Sequence, residues 1–233
     1  MEPAHGPVPL PLTGGTRRHE DWFGRLRFAQ GALAREVRAG ETLALRAGMA
    51  APVHLVESGL LALAVSSGSG GRCIVGIVGP GDLIGTAGLA EDEEAATSPV
   101  RVEAVALRPS RTLAIPAPEL IRMVRADGGT AVSVVASLAL RLAELEASLV
   151  RSGTLRLRDR CLALLGSLVR RWGRPSREGA LIAFPLTQED IADMVGATRE
   201  SVNRALRDLS RQGLIRRSGR TYVVRSDGGR EPG

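Results

Sequence analysis

Residues 186 to 213 read LTQEDIADMVGATRESVNRALRDLSRQG, and this run leaves the C-terminal third of the chain little choice of fold. Thr187 is a good N-cap, and Asp190, three residues on, is placed to reach back to it as a capping box. Ile191, Ala192, Met194 and Val195 give the first helix an apolar stripe. Gly196 allows the sharply bent backbone that a short interhelix turn needs. Thr198 is placed to cap a second helix, in which Val202, Ala205, Leu206 and Leu209 share one face. The opposite face carries Arg199, Glu200, Asn203, Arg204, Arg207 and Arg211. An Arg-rich face is also an ordinary solvated surface, so the order of caps, stripe and turn carries more weight here than charge.

The continuation adds a third part. Leu214 and Ile215 close the helical run, and residues 216 to 224 (RRSGRTYVV) read as a hairpin around a Ser-Gly turn, a basic wing beside the helices. A helix with a buried stripe and an outer face of guanidinium groups suits major-groove reading. Arg makes two hydrogen bonds to guanine O6 and N7, and Glu accepts one from cytosine N4.

On Thr187, Ile191, Ala192, Gly196, Thr198, Arg199, Glu200, Val202, Arg204, Leu206, Leu209, Gly213, Leu214 and Ile215, residues 186 to 224 resemble the winged helix-turn-helix of the cyclic-AMP-receptor/FNR (CRP/FNR) family of bacterial transcription regulators. The resemblance implies that Arg199, Glu200 and Arg204 read base edges. Thr187, Thr198, Ser201 and Asn203 become candidates for phosphate or base contact, and Arg217 and Arg220 for wing contacts to DNA.

Charge distribution agrees. The chain has 233 residues and a net charge of +6, and all of its Lys-plus-Arg count is arginine. Residues 151 to 225 hold 16 arginines against 7 acidic residues. Basicity concentrated in one third points to nucleic acid rather than a general membrane attraction. No run of about 18 apolar residues exists, and the Pro- and Gly-rich start lacks the charged and apolar segments of a secretory signal. Cys73 and Cys161 form no ligand-spaced pair, so a cytoplasmic protein with reduced thiols and no membrane partner is expected.

Upstream the texture differs. Residues 1 to 20 are expected to be a flexible arm, and 21 to 31 a short helix. From about 33 to 116, short apolar runs alternate with turn signals: 41–45, 53–56, 60–65, 73–78, 83–84, 100–107 and 112–115. That pattern reads as an antiparallel β-sandwich or jelly roll. Residues 118 to 126 are a short helix, broken at Asp127-Gly128-Gly129. A long helix follows from about Thr130 to Arg151. Val135, Leu138, Leu142, Leu145 and Leu149 are spaced 3, 4, 3, 4 along it, the seam of a coiled coil. A homodimer is expected, with one amphipathic helix packed on its own domain as the alternative. Ser152-Gly153 is the expected hinge. Another helix covers 154 to 172, Arg174 to Gly179 form a loop, 181 to 184 a small strand, and 226 to 233 a flexible tail.

The whole is thus expected to be α+β: a β-roll sensor at 21–126, a dimerisation helix and hinge at 127–153, and a winged helix-turn-helix at 154–225. The resemblance extends over about residues 25 to 225. It implies a cyclic-nucleotide-binding-like roll in which Gly79-Pro80-Gly81-Asp82-Leu83-Ile84-Gly85 opens the ligand cassette. The effector pocket would take Gly81, Asp82, Gly85, Thr86 and Ser98, with Leu145 and Glu146 facing it from the long helix.

The cassette departs from the family pattern. Thr86 stands where a carboxylate would accept from a ribose hydroxyl. Ser98-Pro99-Val100 stands where an Arg-Ser pair would hold the cyclic phosphate, and Glu91-Asp92-Glu93-Glu94 adds negative charge nearby. A missing charge-assisted partner costs about 2 to 5 kcal/mol. Cyclic AMP is therefore disfavoured, and the effector, if there is one, is left open.

Other ligands fare no better. An iron–sulfur cluster needs about four Cys ligands. Haem has only His54 and Cys73 to call on. No metal site is expected. Cys73 is expected to be a buried structural thiol, with a redox-sensitive one as the alternative, and Cys161 a buried thiol on an apolar helix face.

The expected partners are double-stranded DNA, a second copy of the chain and, on the family pattern, RNA polymerase. Two rivals remain: a cupin-like metal enzyme, for which His5, His19 and His54 are too few and badly placed, and a β-roll protein-interaction module, which leaves the helical segment without a purpose.

Overall fold

The computed structural model describes residues 25–45, 51–66, 72–89 and 101–225. The expected arm and tail, Ser98 and the acidic run at 91–94 lie outside the described residues. The chain divides into two compact units, which meet in sequence between Thr154 and Leu155.

The first unit is built from eight strands: β1 (Leu33–Val37), β2 (Thr42–Leu45), β3 (Pro52–Ser58), β4 (Leu61–Ser66), β5 (Arg72–Val78), β6 (Leu83–Ile84), β7 (Arg101–Ala106) and β8 (Ser110–Pro116). They form two antiparallel sheets, in the orders β1-β8-β3-β6 and β2-β7-β4-β5. Val37, Leu43, Val56, Leu61, Leu63, Val78, Ile84, Ala104 and Ala106 fill one core. A second core joins Val53, Leu55, Leu113 and Ile115 to helical residues Leu120 and Val134. β3 thus contributes to both cores, and its residues Val53 to Val56 are all buried rather than alternately so.

Two helices follow the strands, α1 (Ala117–Ala126) and α2 (Gly128–Thr154). Asp127 sits at their junction. Its Oδ2 accepts from the Thr130 backbone N–H at 2.8 Å and from the Thr130 hydroxyl at 2.7 Å, satisfying free donors at the start of α2.

The second unit comprises α3 (Leu157–Trp172), β9 (Gly173–Ser176), β10 (Gly179–Ile182), α4 (Gln188–Val195), α5 (Arg199–Arg211), β11 (Ile215–Ser218) and β12 (Thr221–Val224). Its strands form one antiparallel sheet, β11-β12-β10-β9. Phe184, Leu165, Ile182, Leu186, Leu209 and Tyr222 are among its largest buried side chains.

Several local expectations are corrected. The segment 174–179, expected to be a loop, begins as strand β9, paired with β10 from Ser176↔Gly179 to Gly173↔Ile182. The exposed strand β1 had no apolar alternation to reveal it; its register against β8, Leu33↔Ala114 to Val37↔Ser110, is what makes it a strand. Of the helix expected at 21–31, the described part is helical at Arg25 and Leu26 and then gives way to turns. Ser152 and Gly153 do not interrupt the long helix, which runs on to Thr154; the Ser152 and Thr154 hydroxyls bond back to the Leu149 and Val150 carbonyls. The next helix starts at Leu157 rather than Thr154.

Candidate nucleic-acid interface

Both caps of the two-helix segment form as the local sequence dictates. The Thr187 hydroxyl accepts from the Asp190 N–H at 3.0 Å, while the Asp190 carboxylate accepts from the Thr187 N–H at 2.8 Å. The same hydroxyl donates to Asp190 Oδ2 at 2.6 Å, so its bonds are spent on the cap. Gly196 ends α4 with φ 63° and ψ 54°, the left-handed conformation that favours glycine. Thr198 Oγ1 accepts from the Ser201 N–H at 3.3 Å to start α5. Glu200 lies in the first turn of α5, where a carboxylate complements the helix dipole.

The buried face of α5 consists of Val202, Ala205, Leu206 and Leu209, none more than 5 % exposed. Full burial of a leucine side chain stabilises by about 1.5–3 kcal/mol, so this face anchors the helix firmly. It holds Arg199, Glu200, Arg204, Arg207 and Arg211 outward, all of them exposed.

No carboxylate among the described residues pairs with Arg199 or Arg204. Arg204 Nη2 donates to the Ser201 hydroxyl at 3.1 Å, and the Thr198 hydroxyl donates to the same oxygen at 3.0 Å. A neutral acceptor of this kind steadies the guanidinium without neutralising it. Asn203 is half-buried and turned toward α4, where its Oδ1 accepts from Gln188 Nε2 at 3.2 Å. Of the residues singled out on α5, Asn203 is therefore the one already engaged with a neighbouring helix.

The wing is the hairpin β11–β12, in register from Ile215↔Val224 to Ser218↔Thr221. Arg217 and Arg220 are exposed on it; Arg217 Nε donates to the Gly219 carbonyl at 3.0 Å. The Leu186 N–H donates to the Arg220 carbonyl at 2.8 Å, which fixes the wing tip to the segment leading into α4. Arg216 pairs with Glu178 of the β9–β10 turn at 2.7 Å.

Between α5 and the wing lies a cleft of about 440 Å³, lined by Gln188, Asn203, Leu206, Arg207, Ser210, Arg211, Arg217 and Tyr222. Tyr222 is buried and its hydroxyl has no hydrogen-bond partner among the described residues. Burial raises its pKa, with the Arg217 charge opposing. The sequence reading missed this cleft, because its walls come from three separate segments.

In the roll, Gly81, Asp82, Gly85 and Thr86 lie along one short segment around β6. Asp82 Oδ2 accepts from the Gly79 N–H at 2.7 Å, which closes the turn before β6, and Thr86 opens a short 3-10 helix to Leu89. On α2, Leu145 is half-buried and Glu146 is exposed. Besides Val134 in the second core, Arg141 of this helix reaches the roll, packing onto Gly76 of β5.

His54 is 4 % exposed and its Nδ1 lies 3.2 Å from the Thr112 hydroxyl. Burial lowers its pKa to about 4, with the Arg35 charge adding. Cys161 is buried, and burial pushes its thiol up to about 11. Cys73, expected to be buried, is exposed at the outer end of β5. Among the described residues no three His, Cys, Asp or Glu side chains cluster as metal ligands, and no helix is long and apolar enough to cross a membrane.

Comparison with known proteins places both units. Residues 149–227 match the family described as the Crp-like helix-turn-helix domain, and residues 34–127 the cyclic nucleotide-binding domain. The cyclic AMP receptor protein of Thermus thermophilus is 27 % identical over 186 residues, 80 % of this chain and 81 % of that protein. A CRP-like cAMP-activated global transcriptional regulator of Mycobacterium tuberculosis is 40 % identical over 57 residues, 24 % of this chain and 25 % of that one. In fold, the c-di-GMP-responsive global regulator of Xanthomonas campestris superposes with a TM-score of 0.73 at 20 % identity, over 88 % of this chain and 100 % of that one.

Proposed function

Since the chain belongs to the CRP/FNR family of bacterial transcription regulators, we propose that it acts as a homodimer on a roughly palindromic operator. In this reading Arg199, Glu200 and Arg204 read base edges. Thr198 and Ser201 support Arg204, and Arg217 and Arg220 of the wing contact backbone phosphates. The observation that carries it is the pairing of a fully buried face on α5 with Arg199 and Arg204 held outward, which no carboxylate among the described residues neutralises. Binding would shed little internal electrostatic partnership, so the guanidinium groups are available to DNA.

The dimer reading rests on α2. Val135, Leu138, Leu142 and Leu149 are 64, 38, 56 and 71 % exposed, a row of apolar side chains on one helix face. Covered by the same row of a second copy, they make a coiled-coil seam. Such a dimer carries two recognition helices about 34 Å apart, one turn of DNA. RNA polymerase would be a further partner at the promoter, and no catalytic role is assigned.

The effector reading is that cyclic AMP does not act through the usual phosphate cassette. Thr86 supplies no carboxylate, and the Arg141 guanidinium is packed onto β5 at Gly76. The relatives are named for cyclic AMP and c-di-GMP alike, so the shared fold by itself does not choose the ligand.

Selection of bound sites from random duplex DNA tests the whole reading. Two inverted half-sites one helical turn apart are expected. Arg204→Ala should then cost about 1–3 kcal/mol on the selected site and relax the preference at one base pair. An enriched pool without symmetry would sink the dimer, and equal loss by Arg204→Ala on selected and random DNA would sink base reading. Titration calorimetry with cyclic AMP should show no binding; micromolar affinity would overturn the effector reading.

A further inference from the structure

The cleft between α5 and the wing is not used by base reading, yet three arginines line it. We propose that it is a clamp for a DNA backbone phosphate flanking the bases that the first turns of α5 read. The proposal rests on the DNA-binding reading above and extends it to Arg207 and Arg211, the C-terminal half of the recognition helix.

The argument is one of length. A helix rises about 1.5 Å per residue, and the major groove is about 8.5 Å deep. With the N-terminus of α5 against the base edges, Arg199 to Arg204 span about 7.5 Å, within the groove. Arg207 and Arg211 stand about 12 Å and 18 Å from the tip. At that height a side chain meets the phosphates at the groove's rim rather than the bases.

Their charge is available there. Arg207 is exposed and has no ion-pair partner among the described residues. Arg211 has one contact, Asp208 at 3.4 Å, between side chains 79 % and 54 % exposed. A pair so open to water is too weak to hold Arg211 against a phosphate diester. Across the cleft, Arg217 is oriented by its bond to the Gly219 carbonyl.

The cleft is also shaped for the task. Leu206 and Tyr222 contribute buried, apolar lining, and Gln188 and Asn203 close the wall with their mutual amide bond. The wing is bonded to the segment before α4 through Leu186 and Arg220, and the two sides of the cleft belong to one compact unit. Three arginines lining a single opening favour a group with several acceptor oxygens, and the phosphate diester beside a read base is the one that base reading delivers.

The test uses the full-length protein, duplex DNA and two variants, Arg207→Gln and Arg211→Gln. Each should lose affinity by the same factor on the selected site and on random duplex. Each should also lower the slope of log affinity against log salt by about 0.9 per phosphate contact removed. Replacing single operator phosphates by neutral methylphosphonate should find one flanking position at which the wild type weakens and the two variants do not weaken further. Wild-type salt slopes in both variants, or a changed base preference in place of a changed slope, would overturn the clamp while leaving base reading by Arg204 standing. Failure of the wild type to bind any duplex would overturn both.

Discussion

The guanidinium of Arg141 on α2 fills the space beside Gly76 of β5 that a side chain there would need, with Nη1 leading. A Cβ on Gly76 would fall 3.2 Å from Arg141 Cζ and 3.4 Å from Nη2, and nearer still to Nη1. Gly76 pairs with Leu63 beside an irregularity in the β4–β5 register, so the strand surface there is open enough to take a planar group. This contact adds to the burial of Val134 in packing the helix that carries the apolar seam onto the roll.

Gly76→Ala should therefore destabilise the roll by about 1–3 kcal/mol, the usual range for overfilling a close contact. Two causes add: the backbone there has φ 158°, which disfavours a side chain, and the new methyl displaces the guanidinium. Arg141→Ala removes only the second. A double-mutant cycle by urea unfolding should thus show a coupling of at least about 0.5 kcal/mol. Strict additivity would mean that the two residues do not interact in solution.

Thr187→Ala removes the capping box of α4. About 1 kcal/mol of stability should be lost, lowering the thermal midpoint of a unit this size by roughly 4–8 °C. A circular-dichroism melt checks it, and a midpoint shift below one degree would show that packing of Ile191 and Val195 alone holds the helix.

His54 introduces a pH dependence whose sign follows from its burial. Its folded pKa is lowered to about 4, against 6.5 unfolded. Above pH 6.5 both states are neutral there and nothing is lost. Between pH 6.5 and 4 the unfolded chain takes up a proton that the folded one refuses, so stability falls as pH drops through this window. The full loss is on the order of 3 kcal/mol. His54→Gln keeps a polar partner for Thr112 and does not titrate, so its urea midpoint should decline less over the same range. Parallel declines for both proteins would assign the effect elsewhere.

Leu142→Glu places a charge in the middle of the α2 seam. Sedimentation should report a monomer, and operator affinity should fall steeply because the two half-sites are no longer held by one particle. An unchanged sedimentation coefficient would place the dimer contact off this helix face.

The parts of this protein legible in its sequence are those in which each residue's conformation is settled within a few neighbours. Thr187 with Asp190, Gly196 and Thr198 define helix ends because a cap is a bond spanning three residues. The stripe from Val202 to Leu209 is legible because a helix repeats every 3.6 residues. The seam from Val135 to Leu149 is visible for the same reason.

Strands β1 and β9 escaped notice. Leu33 to Val37 is mostly exposed, and Gly173 to Ser176 contains a proline and two polar residues. Neither has a pattern of its own, and both are strands because β8 and β10 supply hydrogen-bond partners. Cys73, expected inside, and His54 likewise took their places only from the sheets, the first outside and the second inside.

By itself, then, the sequence determined the order of elements, the helix ends and which faces are apolar, because propensity, capping and periodicity act locally. Tertiary structure alone decided that Arg141 meets Gly76, that Asn203 turns to Gln188, and that Arg207, Arg211 and Arg217 share one cleft. Those residues lie on elements separated along the chain, and only burial of the intervening apolar faces brings their polar ends together.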